Sequence, residues 1–111
     1  MFDFLFGNSQ RIPLREKWEK IITSLNNDGR AIILKEKRSY IAWGCVDMFA
    51  KTVFSITDNE DGFIKIEWLS ESFLGKHTLS WTFNEREMPE IMLIDIGMDI
   101  KNYWQSVYEK E

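Results

Sequence analysis

Few residues in this sequence have side chains suited to chemistry. His77 is the only histidine and Cys45 is the only cysteine. Asp47 and Glu67 are carboxylates on or beside predicted strands, so they have the functional groups of a general acid and a general base. An acid–base reaction requires at least two of Asp47, Glu67 and His77 to reach one cavity. A small hydrolase or isomerase built on these residues is therefore one hypothesis for the chain.

Metal chemistry and a cysteine nucleophile are not indicated. A structural zinc site takes four Cys or His ligands, and Cys45 with His77 supplies two at most. Cys45 lies among apolar residues, which predicts a small buried hydrophobe, and His77 shares a strand face with apolar residues, which predicts a histidine at the rim of the core. Phosphate-loop, dinucleotide-loop, nucleophile-elbow and zinc-protease motifs do not occur. We predict no cofactor, no metal ion and no catalytic residue, which favours a protein that is not an enzyme.

Aromatic residues are the most informative excess in the composition, with eight Phe, five Trp and three Tyr. Trp and Tyr are favoured interface anchors because they bury a large area at little loss of rotamer freedom. Tyr40, Trp43 and an aromatic arm at residues 1–12 are candidates for a partner surface, but packing inside the fold, beneath the first helix or the arm, is the favoured interpretation. The candidate binding residues are Phe4, Phe6, Tyr40, Trp43, Asp47, Glu67 and His77.

Length and composition predict one folded domain. The chain has 111 residues, 44% of them hydrophobic and 29% charged, which is typical of a globular protein with a single core. The net charge of −4 argues against nucleic-acid binding, because that affinity comes largely from Lys and Arg on phosphates. A lone cysteine indicates a reducing compartment, and no apolar run approaches the ~20 residues needed to span a bilayer. We expect a cytoplasmic protein without a signal peptide or a membrane span.

The hydrophobic pattern predicts an α+β fold. Apolar residues at helical spacing predict a helix over 13–27, which begins at Pro13. The period then changes to two across 30–84, which predicts an antiparallel meander. Its strands are predicted at 30–37, 40–46, 49–58, 62–70 and 76–84, with a tight corner near Asp47. Both helices should pack on one face of this sheet.

The C-terminal segment over 87–109 has the pattern of a second helix, with Pro89 near its first turn. Gly97 lies inside this segment, where a glycine costs about 1 kcal/mol relative to alanine. Either Gly97 allows the helix to approach the sheet closely, or the segment is not one helix. A sixth strand at 90–96 is the alternative, because apolar residues also alternate there.

One face of the predicted sheet is polar. Thr78, Ser80 and Thr82 alternate with apolar residues, and Lys65 and Glu67 do the same on the preceding strand. This row is suited to line a binding surface, and it is equally typical of a solvated sheet face.

These observations together predict a non-catalytic interaction protein that binds another protein, or a second copy of itself, through aromatic and sheet-edge surface. A small-molecule-binding domain is the alternative, with an aromatic-lined pocket between the sheet and the C-terminal helix. The hydrolase or isomerase hypothesis would be eliminated if its candidate side chains lay on opposite sheet faces.

Overall fold

The computed structural model describes residues 13–25, 32–46, 50–73 and 75–109. It confirms the α+β class, with an antiparallel meander whose strands follow chain order from β1 to β5. The strands agree with the predicted ones to within two residues at each end, whereas residues 26–31 and the corner near Asp47 lie outside the described residues. The elements are α1 (Leu14–Lys17), α2 (Glu19–Leu25), β1 (Ile32–Glu36), β2 (Tyr40–Val46), β3 (Ala50–Asp58), β4 (Phe63–Ser72), β5 (Gly75–Asn84) and α3 (Pro89–Glu109).

The sheet has one apolar and one polar face because side chains alternate along each strand. Ile66 and Trp68 of β4 are buried, while Glu67 between them is exposed. Paired residues on neighbouring strands point to the same face, so Leu79 of β5 lies on the side of its partner Trp68 and Ser80 lies on the side of its partner Glu67. We call the side that carries Ile66 the core face and the side that carries Glu67 the open face.

The helices pack on the core face, as predicted. Ile21 of α2 and Met92 and Ile96 of α3 have no exposed surface, and they join the apolar side chains of β2, β3 and β4. Burying each such side chain contributes about 1.5–3 kcal/mol. The buried cluster consists of Leu14, Trp18, Ile21, Ile22, Ile41, Trp43, Phe54, Ile56, Ile64, Ile66, Trp68, Met92 and Ile96.

The C-terminal segment is a single helix, so the alternative of a strand at 90–96 is wrong. The helix begins at Pro89, where a missing amide hydrogen is tolerated, two residues later than predicted. Gly97 is exposed within it, and a Cβ built on Gly97 would meet no atom within 4 Å. Gly97 therefore does not serve a close approach of the helix to the sheet.

The N-terminal helix differs from the prediction, because Trp18 divides it into two short helices. The Trp18 backbone has φ −112° and ψ 26°, which lie outside the α-helical region. The hydrogen-bonding pattern nevertheless continues across the break, since the Ile22 amide donates to the Trp18 carbonyl at 3.0 Å. The indole N–H of Trp18 also donates to Asp58 at 3.2 Å, so the side chain at the break is anchored to the sheet.

Asp58 is a fully buried carboxylate at the end of β3. Its Oδ2 accepts hydrogen bonds from the Lys17 ammonium at 2.9 Å and from the Trp18 indole. Its Oδ1 accepts the Glu60 amide at 3.0 Å, which closes the turn toward β4. Lys17 also lies 3.7 Å from a Glu85 carboxylate oxygen. Asp58 thus holds the N-terminal helices against the β3–β4 turn.

Acidification is expected to destabilise the fold through Asp58. Burial by itself would raise the pKa of the Asp58 carboxyl, but hydrogen bonds from Lys17, the Glu60 amide and Trp18 outweigh it and hold the pKa below its ordinary value. Because the folded-state pKa lies below the unfolded-state pKa, the stabilisation is complete above an unfolded value of about 4 and is lost as the pH falls toward the folded value. Urea unfolding between about pH 7 and about pH 3 measures this loss.

The control for the acid effect is Asp58→Asn, which has no carboxyl to protonate at this position. Its free energy of unfolding should fall less steeply with acid than that of the wild type. An equally steep fall in both proteins would contradict the assignment to Asp58. The hydrogen bond to Asp58 raises the pKa of Lys17, so the ammonium's share of the stabilisation is lost only as the pH rises through its alkaline folded-state value.

The edge strand β1 carries apolar side chains on the surface. Ile32 and Leu34 are 56% and 53% exposed. Leu34 is the extra residue of a bulge, because Ile33 pairs with Trp43 and Lys35 pairs with the adjacent Ala42, which leaves Leu34 without a partner on β2. Gly44 lies below it, and a Cβ on Gly44 would lie 3.3 Å from the Leu34 Cδ1 atom, so a larger residue there would have to displace the Leu34 side chain slightly.

Candidate functional site

The open face contains a hollow of about 590 Å³ that spans strands β2 to β5. Of the elements described, all three helices pack on the opposite face, so the hollow is open to solvent. The open-face residues that line it are Tyr40, Val53, Ser55, Glu67, Leu69, Lys76, Thr78 and Ser80.

The hollow arises from the sizes of side chains in register across the sheet. Ser55 pairs with Glu67, and Glu67 pairs with Ser80, so two small hydroxyl side chains flank one longer carboxylate. Ser55 is only 6% exposed although no described helix covers it, because its larger neighbours rise around it. Tyr40 and Leu69 stand at two sides of this floor. Small residues at the centre and large residues at the rim thus produce the concave surface.

The electrostatics of the hollow combine both signs of charge. Glu67 lies 3.7 Å from Lys65, and both side chains are about half exposed. Lys76 adds an exposed ammonium at another side of the hollow. Thr78 and Ser80 contribute hydroxyl groups that can donate or accept. The surface therefore offers charged, hydroxyl and apolar groups side by side.

Two of the predicted binding residues, Tyr40 and Glu67, line this hollow. The predicted row of Thr78 and Ser80 lines it as well, whereas Thr82 lies in the next row of the same face. The periodicity did not single out Ser55, Leu69 or Lys76. The same alternation could have identified them, since each occupies a position of its strand that points to the open face.

Trp43 lies elsewhere, and the partner surface expected around it requires correction. Its side chain has no exposed surface and stacks on Phe54, with ring centroids 5.8 Å apart. The parity of β2 directs Trp43 to the core face with Ile41, while Tyr40 points to the open face. Trp43 therefore belongs to the core in the described fold. Phe4, Phe6 and Asp47 lie outside the described residues, as does the side chain of Cys45.

His77 lies at the rim of the core face, as its parity predicted. Its Nδ1 shares a hydrogen bond with the Tyr103 hydroxyl of α3, and its ring lies 5.2 Å from the Trp104 ring. Tyr103 and Trp104 both pack edge-on against Trp68. These aromatic side chains occupy the space between the sheet and the C-terminal half of α3, where the small-molecule alternative placed a pocket.

The acid–base pair of Glu67 and His77 does not form. Glu67 points to the open face, and His77 contacts α3 on the core face. The sheet therefore lies between the two side chains, and they cannot act on one substrate.

The described residues contain neither a group of metal ligands nor a helix that could cross a membrane. Within 13–25, 32–46, 50–73 and 75–109, no three His, Cys, Asp or Glu side chains are grouped so that they could hold a metal ion. No helix in these ranges has both the length and the apolar character needed to cross a membrane.

Comparison of the chain with models of known protein families, with curated proteins and with solved structures finds no match in any of the three.

Proposed function

We propose that this chain is a non-catalytic protein-binding domain whose open face binds an extended segment of a partner protein. The observation that supports this most directly is the hollow of about 590 Å³ on a sheet face that no described helix covers. Binding sites of this volume are typical of folded proteins, in the range of about 300–1,000 Å³. The separation of Glu67 from His77 supports a binding function over catalysis.

A protein partner is favoured because the surface extends beyond the hollow to the edge of the sheet. Gly44, Val53 and Leu69 form a row across the open face, and Leu34 of the edge strand lies over Gly44. With the exposed Ile32 on the same strand, this makes a continuous apolar path from the hollow to an edge with no neighbouring strand among the described residues. Such an edge can accept a partner strand.

The proposal extends to compartment and partner class. A chain with one cysteine suits a reducing compartment, which supports a cytoplasmic location. The net charge of −4 supports a protein partner over a nucleic acid.

Site-directed photo-crosslinking in the cells that express the protein tests the proposal. A photoreactive amino acid at Ser80, which lines the hollow, is expected to give a discrete crosslinked product with a partner protein. The same amino acid at Ser24, an exposed serine on α2, is the matched control and should give none. Adding Leu69→Asp to the Ser80 variant should lower the crosslink yield about tenfold, because a charge replaces an apolar contact in the hollow.

The outcomes separate the hypotheses. Equal products from Ser80 and Ser24, or a Ser80 product that is unaffected by Leu69→Asp, would contradict binding at the open face. A small molecule is the second candidate, because the volume of the hollow also suits one. A ligand mass retained by the purified wild type in native mass spectrometry and lost in Leu69→Asp would favour that candidate instead.

A further inference from the structure

Helix α3 carries a second apolar stripe on the side that faces away from the sheet. Ile91, Ile94 and Met98 are 42%, 59% and 57% exposed, while Met92 and Ile96 on the opposite side have no exposed surface. The three exposed residues follow one another at steps of three and four, so they form one line along the helix. A helix that packs against its own sheet with one side needs no apolar residues on the other side.

Gly97 borders this stripe, and no contact among the described residues requires a glycine at this position. It lies in the middle of a 21-residue helix, where glycine is unfavourable, and a Cβ there would meet nothing within 4 Å. A helical glycine on an exposed surface does allow the backbone of another helix to come close. Exposed apolar residues beside such a glycine indicate that another helix packs here.

The residues along this side of α3 can pair with the same residues on a second copy of the chain. Glu90, Ile94, Gly97 and Lys101 follow one another at steps of four, three and four, and all four are exposed. The series is symmetric about the point between residues 95 and 96, with a carboxylate matched to an ammonium and a large side chain matched to a glycine. When two such helices pack antiparallel, Ile94 lies against Gly97 of the second copy, and Glu90 lies against Lys101 of the second copy.

The charges are available for these contacts. Lys101 has no ion-pair partner in the part of the chain that the structure describes. Glu90 is hydrogen-bonded to Lys20 of its own chain, yet its side chain is still 51% exposed and can accept a second partner. Two equivalent ion pairs would then close the ends of the contact.

We propose that the chain forms a symmetric homodimer through this side of α3, with the two helices antiparallel about the point between residues 95 and 96. A closed twofold contact of this kind buries the same patch on both copies. Because α3 lies on the core face, the dimer leaves the open faces of both copies uncovered. It is therefore independent of the proposed partner binding, and it would present two partner sites in one particle.

Sedimentation velocity of the full chain, from about 1 µM to about 500 µM, tests the dimer. A single helix pair is smaller than a standard interface, so we expect a dissociation constant in the micromolar range. Lys101→Glu places two carboxylates opposite each other and should weaken the dimer about tenfold. Adding Glu90→Lys and Lys20→Glu to the same chain restores opposite charges between the copies and keeps an ion pair between residues 20 and 90 within each chain. This combination should return the dissociation constant to within about threefold of the wild type.

Two further variants complete the design. Gly97→Leu should abolish the dimer, because its side chain occupies the space of Ile94 from the second copy, while the open surroundings of Gly97 within one chain preserve the fold. Lys35→Glu makes the same charge change on β1 and should leave the dimer unchanged. Circular dichroism and urea unfolding check that each variant is folded.

Three results would overturn the proposal. The first is a wild type that remains monomeric at every concentration, and the second is a dimer that survives both Lys101→Glu and Gly97→Leu. The third is failure of the charge reversal at residues 20, 90 and 101 to restore a dimer that Lys101→Glu has weakened, because this contradicts the antiparallel register. Crosslinking from Ser80 is a separate readout, so failure of the dimer and failure of partner binding are distinguishable.

Discussion

Replacing Asp58 with alanine is expected to lower the free energy of unfolding by about 2–4 kcal/mol. The wild-type carboxylate is fully buried and accepts hydrogen bonds from Lys17, Trp18 and the Glu60 amide. Alanine would leave the Trp18 indole N–H buried without an acceptor and the Lys17 ammonium without its closest anion. The loss is costly because the indole N–H that remains has already lost its water, whereas the Lys17 ammonium, whose side chain is 34% exposed, is still hydrated in part.

Urea unfolding at about pH 7 measures this loss. Asp61→Ala is the matched control, because Asp61 is an exposed aspartate of the same turn whose carboxylate accepts one backbone amide, that of Phe63 at 3.2 Å. Its expected cost is about 1 kcal/mol. Similar small effects at both positions would mean that the buried pair does not hold the N-terminal helices to the sheet.

Trp43→Ala is expected to lower the free energy of unfolding by about 3–5 kcal/mol. The indole has no exposed surface and stacks on Phe54, so its removal leaves a large cavity in the middle of the sheet's core face. Any loss of self-association or partner binding in this variant would follow from unfolding and not from a lost surface contact. Urea unfolding followed by far-ultraviolet circular dichroism distinguishes the two effects.

Two comparison variants make the Trp43 experiment specific. Trp43→Phe should cost only about 1 kcal/mol, because it keeps an aromatic ring against Phe54 and removes an indole N–H that is buried without a partner among the described residues. Tyr40→Ala removes a half-buried aromatic ring from the open face and should destabilise the fold less than Trp43→Ala. Equal losses for Tyr40→Ala and Trp43→Ala would contradict the assignment of Trp43 to the core.

Alternation within a strand was readable from the sequence because it follows from covalent geometry. Ile66 and Trp68 had to point away from Glu67 in any extended β4, and the same parity linked Leu79 with His77. The apolar spacing of α3 was readable for the same reason, with Ile96 and Ile100 one helical turn apart. The α+β class and the positions of the strands follow from these local periods.

The burial of Asp58 is indicated in part by the local sequence pattern of β3. Asp58 follows Phe54 and Ile56 at a period of two, so its carboxylate points to the core face. A buried carboxylate requires cations and hydrogen-bond donors around it. Those come from Lys17 and Trp18, some forty residues earlier in the chain.

The fold class, the order of the elements and the two parities of each strand follow from local patterns, because they depend on contacts between residues close in the chain. The burial of Trp43, the shared hollow of Tyr40 and Glu67, the separation of Glu67 from His77 by the sheet and the outward position of Gly97 are visible in the folded chain alone. Each of these depends on which face the helices cover and on the register between strands. Both are set by the packing of residues far apart in the chain, which no local period encodes.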